Sequence, residues 1–167
     1  MTAIRYVRFE SPLGPMLAAA GETGLAGVWF TGQKYPPALA SDWEEAPRDP
    51  LLHRVQVQLD EYFRGARTRF GLPLAPHGTS FQRRVWAAIA EVPYGRTVTY
   101  AALARAAASP RGVRATGAAT GRNPLSIVVP CHRIVGAHGA LTGYAGGIER
   151  KRALLELEAR TTLGQAA

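Results

Sequence analysis

NPLSIVVPCHRIVG, residues 123–136, sets the single cysteine of the chain between a proline and a histidine at the end of an apolar run. Pro130 fixes its own φ and disfavours helix at Val129, so Cys131 arrives on a stiff, extended approach, and residues 127–129 read as a buried strand or extended segment. His132 and Arg133 surround the thiol with groups that create or stabilise a thiolate, the form that acts as a nucleophile. A buried structural cysteine is otherwise a small hydrophobe, and the adjacent histidine weighs against that reading. Neighbours in an ideal strand face opposite ways, so adjacency alone does not bring the imidazole to the sulfur; a bridging water is one way to join them.

An imidazole that works as a base needs a third group to set its tautomer and orientation. Glu158 is the candidate. It follows Leu154 by four positions and Leu155 by three, on their helix face. It also falls near the expected helix C-terminus, where the dipole disfavours a carboxylate, so another group should compensate it. A solvated glutamate at the end of a helix fits these residues equally well.

Upstream of the cysteine the chain is mainly helical. Thr79 with Gln82 fits a capping box ahead of Phe81, Val85, Trp86 and Ile89, a face that ends at VPYG, residues 92–95. A helix over 100–107, the turn SPRG at 109–112 and a helix over 113–120 have the outline of a helix-turn-helix. An ordinary αα corner has the same outline, and the charge pattern favours the former. A glycine-rich loop, HGALTGYAGG at 138–147, leads into a last helix over 148–160.

The first half looks like a small sheet followed by a helix. Residues 4–9 and 25–30 carry strand-like apolar and aromatic content, with SPLGP at 11–15 and GETG at 21–24 as turn signals, which suggests antiparallel pairing. Residues 31–50 hold four prolines and few periodic apolar positions, so they read as a surface loop. Leu52, Val55, Leu59 and Phe63 follow at helical spacing up to Gly65. A short strand over 68–70 and the linker LPLAP at 72–76 close this half. The fold class is α+β: a small antiparallel sheet with a helix over 1–76, then a mainly helical domain with a helix-turn-helix over 77–167.

The composition, 167 residues with 47% hydrophobic and 19% charged, suits one domain or two small ones. No apolar stretch approaches the roughly 18 residues of a membrane span, and MTAIRYVRFE alternates instead of forming a secretory core, so a cytoplasmic protein is expected. One cysteine forms no internal disulfide, and four scattered histidines with one thiol show no zinc-like spacing, so neither metal nor another cofactor is expected. The net charge of +8 is uneven: residues 1–76 carry 8 basic and 8 acidic side chains, residues 77–167 carry 12 and 4. Such asymmetry points to a half that binds a polyanion, although 18 arginines against 2 lysines is also what a coding bias produces.

PCHRIV at 130–135, preceded by Asn123-Pro124 and followed by GYAGG at 143–147, resembles the signature of the O6-alkylguanine-DNA alkyltransferases, also called methylated-DNA–protein-cysteine methyltransferases. VPYGRTVTYAALA at 92–104, RATGAATGRNP at 114–124 and the last helix fall at similar spacing. The resemblance covers most of the chain and is strongest over 81–158.

That resemblance implies a direct, irreversible, single-turnover transfer of an alkyl group from O6 of guanine, or O4 of thymine, in double-stranded DNA to Cys131. It makes His132 a base acting through a water, Glu158 the group that orients it, and Tyr100 a hydroxyl donor to the base. Asn123, Tyr144, Ala145, Gly146, Ile134 and Lys151 are then pocket residues. Asn123 tethers backbone turns, and Ala145 stands where the family often has serine, which leaves a backbone N–H to serve O6. Arg114 matches an arginine finger that fills the space left by a flipped nucleotide, with Ala115, Thr99, Tyr100, Gly117 and Arg122 also toward DNA in the minor groove. Flipping costs a few kcal/mol, less at a damaged base. An alkyl thioether offers no good leaving group, so each molecule acts once. The resemblance implies a monomer without metal, cofactor or membrane partner. Two other readings make different predictions: an alkyltransferase-like protein that binds damage without transfer, which commonly has tryptophan in place of the cysteine, and a cysteine hydrolase, which turns over.

Overall fold

SPLGP and GETG each close a hairpin in the computed structural model, which describes residues 3–166, with side chains through residue 162. Gly14 and Gly24 take φ of 111° and 156° in these turns, a region that side chains other than glycine's rarely enter. The strands β1 (Arg5–Phe9), β2 (Met16–Ala20) and β3 (Leu25–Phe30) form an antiparallel meander. A two-residue strand, β4 (Glu44–Glu45), adds parallel to β1, giving the order β3-β2-β1-β4. The expected surface loop over 31–50 therefore contains a strand. Two glutamates at a sheet edge show no alternation, so nothing local announces β4; Trp43 beside it tilts over Tyr6 and Trp29 and covers the outer face of the sheet.

Strand β2 is MLAAA and buried at every position, because both faces of the sheet are covered. The inner face meets α1 (Pro50–Phe63), which starts at an Asp49 cap on the Leu52 amide and buries Leu52, Val55, Leu59 and Tyr62. Truncating one such leucine to alanine costs about 2–5 kcal/mol. The strand expected over 68–70 is not formed. Pairing instead falls within the supposed linker: Leu25 N–H donates to Pro73 O at 2.8 Å and Ala75 N–H to Leu25 O at 2.8 Å.

In the second half, α2 (Ser80–Ala90) opens on the expected reciprocal Thr79–Gln82 capping box and buries Val85, Trp86 and Ile89. Helices α3 (Tyr100–Ala106) and α4 (Val113–Gly121) make the corner, joined through Ala108 at φ 57° and a Gly112 N–H to Ser109 O bond of 2.9 Å. The small residues of α4 divide by face: Thr116, Ala119 and Thr120 are buried, with Trp86 Nε1 donating to Ala119 O at 2.8 Å, while Arg114, Ala115 and Ala118 are exposed. Two-residue strands β5 (Val98–Thr99) and β6 (Ile134–Val135) pair in parallel and fix the entry to α3 beside the exit from the cysteine loop.

Helix α5 (Ile148–Ala166) runs past the expected end at 160, because no glycine or proline intervenes before Gly164. Glu158 is therefore mid-helix, and the dipole argument drawn from its supposed terminal position does not hold. No helix among the described residues is long and apolar enough to cross a membrane.

Candidate active site

Residues 127–129 are a tight turn, not a strand. Ile127 sits at φ 71°, an outlier for a β-branched residue, and successive bonds run from Val128 N–H to Ser126 O (2.8 Å) and Val129 N–H to Leu125 O (2.9 Å). The extended piece lies just upstream, where Val28 of β3 donates to Pro124 O at 2.8 Å and accepts from Ser126 N–H at 3.0 Å. The cysteine loop is thus an added edge on the first-half sheet. Strain at Ile127 is held by Asn123, whose Oδ1 accepts from Leu125 N–H at 2.9 Å and whose Nδ2 donates to Val129 O at 2.9 Å.

The same Nδ2 donates to Cys131 Sγ at 3.2 Å. Cys131 opens a single 3-10 turn, Cys131–Arg133, and is 6% exposed. Burial pushes its thiol above the ordinary value; the Asn123 amide and the Lys151 charge pull the other way without overcoming it. At rest the sulfur is a thiol that needs a base. Lys151 is not a solvated lysine: it is fully buried, and Nζ donates to Ile134 O at 2.6 Å and Thr142 O at 3.0 Å.

His132 Nε2 and Glu158 Oε2 are 2.7 Å apart, both residues fully buried. Burial of Glu158 raises its pKa, but bonds and charge from His132 and Arg133 outweigh this and hold it at about 2. The carboxylate is thus acceptor-only. Burial lowers the His132 pKa despite the glutamate, so the ring is neutral near pH 7. A neutral imidazole facing an obligate acceptor carries its proton on Nε2. Nδ1 then holds a bare lone pair, and this buried atom has no hydrogen-bond partner among the described residues. Such an atom is a base waiting for a proton.

Glu158 is compensated by tertiary partners. Arg133 clamps both oxygens, Nε to Oε1 at 2.8 Å and Nη2 to Oε2 at 3.0 Å; Tyr62 Oη donates to Oε2 at 2.7 Å and Gly95 N–H to Oε1 at 3.1 Å. Arg133 Nη1 also reaches Val92 O at 2.7 Å. The sequence places Arg133 beside the thiol, and its guanidinium instead neutralises the carboxylate. Tyr62 was missed because Phe63, one residue on, satisfies the same apolar spacing.

A cavity of about 360 Å³ opens onto Cys131. Helix α4 contributes Gly117, Ala118, Thr120 and Gly121; the glycine-rich loop contributes Gly143, Tyr144 and Ala145; the first half contributes Lys34 and Tyr35. Tyr144 is half-buried, its hydroxyl is enclosed, and burial pushes that hydroxyl well above its ordinary pKa. Gly146 is closed to a side chain, since a Cβ there would meet the Tyr144 ring at 2.6 Å and Phe30 at 3.0 Å. Arg150 holds this loop, with Nη1 on Gly146 O at 3.2 Å, Nε on Leu13 O at 3.0 Å and its guanidinium 4.6 Å from the Phe30 ring centroid.

The other sequence candidates take varied places. Tyr100 packs on Gly117, its hydroxyl 3.4 Å from Gly143 O, and burial raises its pKa. Thr99 caps α3 through Ala102 N–H at 3.1 Å. Arg114 and Ala115 are exposed in the first turn of α4, and Arg122 follows its last turn. Ile134 departs from expectation: its side chain belongs to the core and does not line the cavity, and only its carbonyl serves the site, through Lys151. Lys34 and Tyr35 went unnoticed, since an aromatic in a proline-rich segment carries no signal of where that segment returns. Among the described residues no group of three or more His, Cys, Asp or Glu could hold a metal ion.

Two family models match the chain: 6-O-methylguanine DNA methyltransferase, ribonuclease-like domain, over residues 4–76, and 6-O-methylguanine DNA methyltransferase, DNA binding domain, over residues 80–160. The methylated-DNA–protein-cysteine methyltransferase of Methanosarcina acetivorans is 45% identical over 153 residues, 92% of this chain and 97% of that protein. The Mycobacterium tuberculosis protein of the same name is 44% identical over 155 residues, covering 93% and 92%. The crystal structure of Mycobacterium tuberculosis OGT in complex with DNA superposes with a TM-score of 0.86 at 42% identity, covering 94% of each chain.

Proposed function

The chain belongs to the methylated-DNA–protein-cysteine methyltransferases, and from that premise we propose that Cys131 takes the alkyl group in a DNA repair reaction that each molecule performs once. The family repairs DNA by direct transfer; the assignment of roles to residues is our reading. The observation that carries it is the unpartnered Nδ1 of a neutral His132, turned to that task by Glu158 beside a thiol that burial keeps protonated.

His132 Nδ1 receives the Cys131 proton through a water. The thiolate that forms is held by the Asn123 amide and by the Lys151 charge. Sulfur attacks the alkyl carbon on O6, a C–S bond forms, and the C–O bond breaks with its electron pair remaining on the base. The proton taken by His132 returns to the departing guanine through the same water. Tyr100, kept a phenol by burial, and backbone N–H groups of the 144–146 loop donate to the base while its charge develops. The thioether left on Cys131 has no leaving group, so the thiol is not restored.

The target carbon lies inside a duplex, and the nucleotide must leave the stack to enter a cavity beside Cys131. We assign Arg114 and Ala115, on the exposed face of α4, to the DNA surface, with Arg114 filling the vacated step. The excess of positive charge in the second half supports this surface. A monomer in the cytoplasm is part of the same reading. The test is mass spectrometry after mixing with excess O6-methylguanine duplex. One methyl on the Cys131 peptide and one event per protein are expected; tight binding without an adduct, or repeated turnover, overturns the reading.

A further inference from the structure

Most of the wall around the cavity has no bulk to give. Helix α4 presents Gly117, Ala118, Gly121 and the buried Thr120 there, and the glycine-rich loop adds Gly143, Ala145 and a half-buried Tyr144. Tyr35 differs on every count. It comes from the first half of the chain, it is 40% exposed, and it lines the cavity that opens onto Cys131.

The segment that carries it is pinned to the site from both sides. Gln33, 6% exposed, accepts from Phe30 N–H at 2.9 Å and from Ser126 Oγ at 3.3 Å, and its Nε2 donates to Lys34 O at 3.2 Å. Lys34 N–H donates to Ala145 O, in the glycine-rich loop, at 2.9 Å. The next residue, Tyr35, sits at φ 56°, an unfavourable region for an aromatic side chain. Its ring is gripped by cations: the Arg122 guanidinium lies 3.7 Å from the centroid and the Lys34 ammonium 5.2 Å. The ring also lies against α4, its Cε2 4.0 Å from where a Cβ at Gly121 would stand, an ordinary contact distance. A residue strained in its backbone and clamped through its ring at the rim of a cavity is held there against its own preference.

We propose that Tyr35 is a specificity-determining residue: its ring forms the movable part of the wall and limits the size of the O6 substituent that reaches Cys131. The inference rests on the acceptor reading above and adds to it a part for the first half of the chain. About 360 Å³ is near the lower end for small-molecule sites, so a side chain at the rim bears on how large a substituent is admitted beside Cys131. A larger substituent has to displace a wall element. Among the described residues the Tyr35 ring rests on the Arg122 and Lys34 cations, and it is the exposed aromatic side chain of the wall.

The test uses the full chain and two duplexes that differ only in carrying O6-methylguanine or O6-benzylguanine, with single-turnover transfer measured on each. The ratio of benzyl to methyl rates cancels effects on DNA binding. Tyr35→Ala is expected to raise that ratio by about tenfold, the scale on which hydrophobic pockets sort substituents by size. Tyr35→Gly, which accepts the positive φ without strain, should do the same and guards against a collapsed segment. Tyr35→Phe, which keeps the ring, should match the parent. An unchanged ratio in both Ala and Gly variants, or a Phe variant that behaves like Ala, overturns the proposal while leaving the acceptor reading intact. If the parent protein transfers neither group, the acceptor reading fails and this inference with it.

Discussion

Glu158 Oε2 lies 2.7 Å from His132 Nε2, and the other ring nitrogen, Nδ1, is buried without a partner among the described residues. A carboxylate on one side of the ring therefore determines which nitrogen remains free on the other.

Glu158→Gln replaces an obligate acceptor by a group that can present an N–H. The ring is then free to carry its proton on Nδ1, where it blocks the base. Single-turnover methyl transfer should slow by about 10²–10⁴-fold, the usual contribution of general base catalysis. Arg133 also loses its counter-charge, and a broken buried pair costs about 3–5 kcal/mol, read as a lower denaturation midpoint in urea. A variant with parent-like transfer would show that tautomer control by Glu158 is not needed.

Stability should fall with acid in two stages. His132 is neutral in the fold with its pKa below the ordinary 6.5, so the unfolded chain binds a proton first as pH drops through 6.5, and stability declines from there. Glu158, at about 2 in the fold against an ordinary 4.5, adds stability that is complete above 4.5 and is lost as pH falls toward 2. Thermal melts of the parent and of Glu158→Gln across this range check the assignment: the variant should lack the second decline. The transfer rate, which needs neutral His132, should hold below pH 6.5 and drop only at more acidic values.

Asn123→Ala removes the acceptor of Leu125 N–H and the donor to Val129 O and to Cys131 Sγ together. Each buried polar group left unsatisfied costs about 1–3 kcal/mol, so a loss of roughly 2–5 kcal/mol is expected in chemical denaturation. Sulfur also loses a donor that favours its anion. Alkylation of Cys131 by iodoacetamide in the folded protein should therefore become slower at a given pH; parent-like labelling together with parent-like stability would overturn both roles of Asn123.

Binding to undamaged duplex should weaken steeply with salt, because a half with 12 basic and 4 acidic side chains neutralises several phosphates. Arg114→Ala should slow repair in duplex DNA more than attack on the free modified base. Equal losses on both substrates would remove the flipping role from this exposed arginine.

Much of the second half was legible locally. The Thr79–Gln82 cap, the helices around SPRG and the proline before Cys131 each act over a few residues, and the two helices around SPRG fall within a residue of their expected bounds. Cys131 and His132 were legible because their chemistry is adjacent in sequence, and Glu158 because helix spacing put it on the face of Leu154. What escaped depends on contacts between distant segments. Strand β4 exists only because β1 offers an edge, pairing near Leu74 replaces the strand expected at 68–70, and the turn at Ile127 is imposed by the side chain of Asn123. The compensation of Glu158 was anticipated, but its partners Tyr62, Gly95 and Arg133 come from three separate regions. No local pattern records such a convergence.

The backbone bonds between Val28 and the Pro124–Ser126 step make the nucleophile's loop a fringe of the amino-terminal sheet. A carboxy-terminal fragment produced alone would have its reactive sulfur on a ribbon stripped of its selvage. Such a fragment should regain competence when the missing half is supplied in trans, so that the two pieces behave as one reagent divided into two peptides.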